Sequence, residues 1–410
     1  MSGKKLRILL TAERKSPPDK RVAFTPEQCR IIENQYPQIK FYMEESAARC
    51  ILDAEYHAAG IESARPQEAD ILFGIKEVPI EFLIPGKTWF FFSHTIKKQP
   101  HNRKLLKSLL ENKIELIDYE CLVDNKGERT VAFGRFAGIV GAYNAFRLWL
   151  EKKSLVRLPP ASACHNTEEL IAQVRPWLPS MKGLKIAVTG TGRVGMGAVE
   201  ILEKLGIRRL DPQEYCNSEE EQPVYTLLRS QNYMEKPDSS EWDETGFRSK
   251  PGNYRSTFLK FASCTDVFIS CHYWNPAGPP LFHLADIASA DFRISVISDV
   301  TCDIGGSIPT TLRASTIAHP FYEVDRISGC EVQRQQGSKS GTVGVCAVDN
   351  LPCELPLDAS RAFGEMLMKQ VIPELAGSDR QALERATICR DGHLMPDFAY
   401  LQDFADGKEA

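Results

Sequence analysis

A lysine and a histidine each stand just past a short apolar run. Lys76 lies in Gly74-Ile75-Lys76-Glu77-Val78-Pro79, and His94 in Ser93-His94-Thr95-Ile96-Lys97. If the runs are strands of one open α/β sheet, both side chains fall at carboxyl ends, the edge where such sheets bind ligands. A Lys and a His sharing a cleft can divide acid–base work, each tuned by burial and neighbours. From spacing alone, a solvated lysine and a hydrogen-bonded structural histidine are the more ordinary reading. Arg21, ahead of Thr25-Pro26, and Arg129, in Gly127-Glu128-Arg129-Thr130, could each hold a carboxylate with two parallel bonds, or could simply face solvent. Glu120 follows a further apolar run and suits a cationic substrate group.

A second centre is the segment LKIAVTGTGRVGMGA, residues 184–198. It is G-x-G-x-x-G with Gly190, Gly192 and Gly195, following a predicted strand and opening a predicted helix. That context reads as a dinucleotide turn. Gly190 allows the tight bend, Gly192 the approach of a pyrophosphate, and Gly195 close helix–strand packing. Arg193 and Val194 lie between the glycines, at the helix N-terminus that would face the phosphates. Asp211 stands 21 residues after Gly190, past the predicted strand 207–210, where a carboxylate would accept from ribose hydroxyls and favour NAD. Arg208 and Arg209 beside it would suit NADP, and a turn Asp before Pro212 is the plainer alternative. Tyr273 and Asp303 each follow a later predicted strand and could border the nucleotide.

The elements positioning these groups alternate. Strands are predicted at 6–10, 71–75, 88–92 and 114–118, with helices from Thr25-Pro26 and over 104–112 and 136–152. After a linker at 156–167, strands are expected at 184–189, 266–271 and 294–299, and a last helix at 360–371. This alternation gives an α/β fold with largely parallel sheets. The polar stretch 212–256 reads as a surface insertion.

The chain has 410 residues, 43% hydrophobic and 25% charged, enough apolar material for two or three domains. Its 50 basic and 54 acidic residues give a net charge of -4, which argues against a nucleic-acid partner. No apolar run reaches the ~18 residues of a membrane helix. The 12 cysteines are scattered, without C-x-x-C spacing. They read as buried reduced thiols of a cytoplasmic protein, with no metal site.

Taken in order, RVAFTP, GIKEVP, FFSHTIKKQP, LIDYECLVDNKGERTVAFGRFAG, GTGRVGMGA, SDVTCDIGGSIP and VDNLPCELP resemble the alanine dehydrogenase/saccharopine dehydrogenase superfamily. The resemblance is strongest to the lysine–ketoglutarate reductase domain of aminoadipic semialdehyde synthase, and extends to lysine-forming saccharopine dehydrogenase. It implies two Rossmann-like domains with parallel sheets and an active-site cleft between them. The substrate domain would be 1–155 plus 350–410, and the nucleotide domain 156–349. It implies interconversion of saccharopine with L-lysine and 2-oxoglutarate, with NAD or NADP. An alanine dehydrogenase-like enzyme using ammonia and a sensor without turnover are the rival readings. The resemblance makes Lys76 and His94 catalytic. It places Arg21, Glu77, Lys97, Gln99, Glu120 and Arg129 at the substrate, and Asp211, Tyr273 and Asp303 at the cofactor. Arg135 departs from the family and receives no role. An acid at the Asp211 position also occurs in reductases expected to use NADPH, which weakens the inference to NAD. Oligomeric state stays open, a homo-oligomer included.

Overall fold

The computed structural model describes residues 5–15, 19–334 and 341–408. It divides into two compact units, 1–133 with 356–410, and 134–355. The long helix Gly134–Lys152 thus falls in the second unit, whereas the sequence reading drew the boundary after it.

The first unit is an eight-stranded sheet. Across it run His393–Leu394, Thr387–Arg390, Glu115–Asp118, Thr88–Phe91, Ile71–Phe73, Leu6–Leu10, Ile39–Met43 and Glu62–Ser63. The six strands of the N-terminal segment are parallel, and the two from the C-terminal segment are antiparallel. Central strands such as Ile71–Phe73 are buried along their whole length, as expected of a parallel sheet covered on both faces. Phe24, Phe73 and Phe90 interlock beneath it, Phe73 stacking on Phe90 at 4.3 Å. The helix Pro26–Gln35 starts as predicted. Thr25 Oγ1 accepts from the Gln28 N–H and Gln28 Oε1 from the Thr25 N–H, a reciprocal cap with Pro26 at the first helical position.

The second unit carries another eight-stranded sheet. Its order is Glu331–Val332, Phe321–Asp325, Thr342–Cys346, Val296–Asp299, Val267–Ser270, Lys185–Thr189, Val224–Leu228 and Arg208–Leu210. From Thr342–Cys346 to Arg208–Leu210 all pairings are parallel. The stretch 212–256 is therefore not simply a surface insertion. It contributes Val224–Leu228, fully buried between two other strands. The charged flank Ser218–Gln222 hid that apolar run in the sequence.

Helix Gly134–Lys152 packs on helix Arg193–Lys204 at very short range. A Cβ at Gly138 would lie 1.8 Å from the Val194 carbonyl oxygen, and one at Gly197 would lie 2.0 Å from that of Arg135. Glycine permits this backbone contact. In an ordinary helix interior Gly→Ala stabilises by about 1 kcal/mol. Here Gly138→Ala is expected to do the reverse, lowering stability by about 1–3 kcal/mol through overpacking. A fall in thermal midpoint checks the sign.

Candidate active site

In the first unit, four parallel strands deliver their following loops to one edge. Leu6–Leu10 leads to Glu13, Ile71–Phe73 to Lys76 and Glu77, Thr88–Phe91 to His94 and Lys97, and Glu115–Asp118 to Glu120. The strand before Lys76 stops at Phe73, two residues earlier than the apolar run suggests. The reason is Glu13, whose carboxylate accepts the backbone N–H of Ile75 at 2.6 Å and of Lys76 at 3.0 Å.

His94 Nδ1 is bonded to Glu77 Oε1 at 2.6 Å, and Lys15 Nζ donates to Glu77 Oε2 at 2.9 Å. Burial opposes ionisation of Glu77, but these partners outweigh it and hold its carboxyl down at about 2. Glu77 is thus a fixed anion that orients the imidazole. His94 sits in the left-handed backbone region at φ 53, so the chain turns sharply there. Its carbonyl is tied by the Asn102 side-chain amide. The Lys76 ammonium is disfavoured first by burial and then by the nearby Arg21 charge, so its pKa lies below the ordinary lysine value. Burial pushes Glu13 up to about 7, against the pull of its two backbone donors.

Arg21 is 2% exposed and grips Asp19 through Nε at 2.9 Å and Nη2 at 2.5 Å, its guanidinium over the Phe133 ring. Lys97 Nζ and Arg129 Nη1 each lie 3.4 Å from Glu120 Oε1. Each expected cation therefore already faces a protein carboxylate. Glu120 Oε2 is buried with no hydrogen-bond partner among the described residues, an acceptor in want of a donor. Gln99 is exposed on the loop beyond His94. Asp118, wholly buried, accepts from the N–H of Ser93 at 2.9 Å and of Glu120 at 2.7 Å, fixing the two loops that carry His94 and Glu120. Glu13 and Asp118 had no assigned role from sequence. Only their position behind the functional loops reveals them.

In the second unit, Gly190 has φ +90, and a Cβ there would lie 2.6 Å from the Cys271 carbonyl oxygen. A Cβ at Gly195 would strike the Gly190 carbonyl oxygen at 1.7 Å. Gly192, by contrast, has open space and precedes the 12-residue helix Arg193–Lys204. Arg193 is exposed and Val194 half-buried in its first turn. Glycine backbone, open space and an uncapped helix N-terminus together fit a pyrophosphate. The loops after Ser270 and Asp299 leave the same sheet edge as this turn. They carry Tyr273, 89% exposed, and Asp303, also exposed. His272, just before Tyr273, is buried against Thr189 and Ser307, and burial lowers its pKa to about 4, so it is a neutral structural group.

Asp211 stands differently from the expectation. Its strand Arg208–Leu210 does not neighbour Lys185–Thr189, because Val224–Leu228 lies between them. Asp211 Oδ1 caps the short helix Pro212–Asn217 through the Gln213 N–H at 3.0 Å. The residue that follows the neighbouring strand is Arg229. The Gly190 N–H donates to the Leu228 carbonyl at 3.0 Å, so Arg229 and Ser230 come directly beside the glycine turn.

Residues 9–140 match the family model of the alanine dehydrogenase/PNT N-terminal domain. Over 420 residues the chain is 30% identical to the mitochondrial alpha-aminoadipic semialdehyde synthase of Mus musculus, covering 90% of this chain and 45% of that protein. It is 26% identical over 408 residues to the saccharopine dehydrogenase [NAD(+), L-lysine-forming] of Yarrowia lipolytica, covering 95% and 98%. Residues 9–140 therefore carry an alanine dehydrogenase/PNT N-terminal domain, and the chain over most of its length is similar to these two enzymes. It spans about half the length of the aminoadipic semialdehyde synthases it matches. A solved L-alanine dehydrogenase has a similar fold, with TM-score 0.66 at 18% identity, covering 98% of this chain and 99% of that one.

The two half-buried carboxylates on the first sheet's edge have opposite pH signatures. Glu77, held down, adds stability that is complete above its ordinary value and is lost as pH falls toward about 2. Glu13, held up to about 7, adds stability that fades as pH rises from its ordinary value of 4.5 through about 7. Glu13→Ala is therefore expected to cost more stability at pH 5 than at pH 8, by roughly 1.4 kcal/mol for each pKa unit of displacement. Urea midpoints at the two pH values check it.

Proposed function

We propose that this chain interconverts saccharopine with L-lysine and 2-oxoglutarate, using a nicotinamide nucleotide. The observation that carries the reading is the array of Lys76, Glu77–His94 and Glu13 on one sheet edge. The names of the relatives, with saccharopine dehydrogenases among them, support the substrate. The unit of 1–133 and 356–410 is proposed to take the substrate, and 134–355 the nucleotide.

When bound, the nucleotide supplies a hydride to the imine carbon. The chain's own work is to hold the reactants and move protons. Lowered below the usual lysine value, Lys76 offers a neutral amine at milder pH than a solvated lysine, which suits a base for the ε-ammonium of the substrate. His94 has Nδ1 committed to Glu77, so Nε2 is the ring atom left to exchange a proton with the carbinolamine oxygen. Glu120, with Oε2 unpartnered, is assigned to a substrate ammonium. Saccharopine carries three carboxylates. Arg129 and Lys97, both partly exposed, are assigned to them. Arg21, locked on Asp19, is assigned to the Lys76 microenvironment more than to direct contact.

For the nucleotide, the position of Arg229 beside the glycine turn favours NADP, since an arginine there suits a 2′-phosphate. Tyr273 and Asp303 are assigned to the nicotinamide side of the site. The 12 free thiols support a reducing compartment, and the cytoplasm is the proposed one. Among the described residues no helix is long and apolar enough to cross a membrane.

The deciding experiment is nicotinamide absorbance with L-lysine and 2-oxoglutarate, against ammonia and pyruvate. Lysine-dependent oxidation, faster with NADPH than with NADH, is expected. Turnover only with ammonia and pyruvate would overturn the reading. Lys76→Met and His94→Gln should each lower kcat by about 10²–10⁴-fold, with nucleotide binding by calorimetry unchanged. Arg229→Ala should raise KM for NADPH about tenfold or more while leaving NADH nearly unaffected. Equal effects on both nucleotides would exclude a 2′-phosphate contact.

A further inference from the structure

Cys216 and Cys264, far apart in sequence, meet in the second unit. Cys264 Sγ lies 3.1 Å from Cys216 Sγ, so the thiols are in direct contact. Cys216 is in the last turn of helix Pro212–Asn217, and Cys264 is in the turn between helix Leu259–Ala262 and strand Val267–Ser270. Neither backbone is placed there by the sulfurs alone. Tyr215, next to Cys216, bonds through its hydroxyl to Thr265, next to Cys264, at 3.0 Å in a buried site. Lys185 Nζ holds the Ser218 carbonyl at 2.8 Å. The Lys260 carbonyl is 3.5 Å from one sulfur and 3.6 Å from the other. A disulfide bond is about 2.05 Å long, so closure needs roughly 1 Å of further approach.

The two sulfurs differ. Cys264 is 9% exposed, whereas Cys216 is half-buried, so a reagent in solution meets Cys216 first. Cys264 donates its S–H to Cys216, and the ammonium groups of Lys185 and Lys260 lie near. Together they outweigh burial and bring the Cys216 thiol down to about 7, while the Cys264 thiol is pushed well up. A half-buried, solvent-reachable thiolate backed by a second thiol is the arrangement of a nucleophilic and a resolving cysteine.

We propose that Cys216 and Cys264 form a reversible dithiol–disulfide site, with Cys216 the attacking and Cys264 the resolving thiol, and that its oxidant is a low-molecular-weight disulfide. The Cys216 thiolate attacks one sulfur of the oxidant, forming a mixed disulfide and expelling one thiolate. Cys264, losing its proton, attacks Cys216 Sγ, breaking the mixed bond and expelling the second thiolate. The pair loses two electrons and two protons, and the oxidant is reduced to two thiols. The product ties helix Pro212–Asn217 to the turn before Val267–Ser270. It uses none of the residues assigned to proton transfer or substrate, so it stands or falls apart from the saccharopine reading.

The test is a non-reducing peptide map of the full chain. Reduced protein is incubated with glutathione disulfide at pH 8, alkylated, digested and weighed. The expected result is a Cys216 peptide joined to a Cys264 peptide, reversed by dithiothreitol. Cys264→Ser should stop at glutathione on Cys216, and Cys216→Ser should slow glutathione incorporation at Cys264 at least tenfold. Recovery of both cysteines as alkylated free thiols in the unsubstituted chain would overturn the proposal. So would a glutathione adduct on Cys216 that persists without cross-linking.

Discussion

Parallel pairing of Leu6–Leu10, Ile71–Phe73, Thr88–Phe91 and Glu115–Asp118 is the constraint on which the first unit's chemistry depends. Parallel strands all end on one side, so four loops separated in sequence emerge side by side. A mixed order in those strands would send Lys76 and His94 to opposite edges. The sheet alone brings the loops only near one another, and buried carboxylates set them finely. Glu13 takes two backbone donors from the loop of Lys76, and Asp118 takes one from each of the loops of His94 and Glu120. A buried carboxylate is costly unless it is well supplied with donors. Each anion therefore makes its loop's conformation specific, because moving the loop would strand the charge.

Electrostatic asymmetry follows from the same placement. Glu77 and Glu13 are far apart in sequence and are brought near one another only by the fold, yet one is held at about 2 and the other at about 7. Glu77 has the His94 ring and the Lys15 ammonium as side-chain partners, whereas Glu13 has neutral amides and a stronger burial penalty. The separation gives one carboxyl a fixed charge and the other a charge that changes near neutrality. Divergent environments of this kind are how one scaffold supplies several acid–base roles.

The second unit depends on backbone contact. Gly190 and Gly195 let the glycine turn fold against its own helix, and Gly138 and Gly197 let a second helix lie on that one. The strand order then decides what stands beside the turn. With Val224–Leu228 inserted next to Lys185–Thr189, Arg229 takes the neighbouring place and Asp211 is displaced to the sheet edge, where it caps a helix.

Much of this was legible in the residues. Short apolar runs at 6–10, 88–92 and 184–189 become strands close to the predicted ends, since continuous apolar runs suit strands buried on both faces. Thr25-Pro26 begins a helix because the cap is built from neighbours. The G-x-G-x-x-G turn is equally local. The helix Arg193–Lys204 begins earlier than its glycine content suggests, because close packing outweighs poor helix propensity. What the sequence determined, then, was whatever depends on adjacent residues: strand and helix types, the glycine turn, and the positions of Lys76 and His94 past strand ends. Tertiary structure alone decided the rest. Sheet order placed Arg229 rather than Asp211 beside the turn, long-range hydrogen bonds enlisted Glu13 and Asp118, and packing brought Cys216 to Cys264. Strand order, partner choice and burial are relations between distant segments, and spacing along the chain carries no record of them.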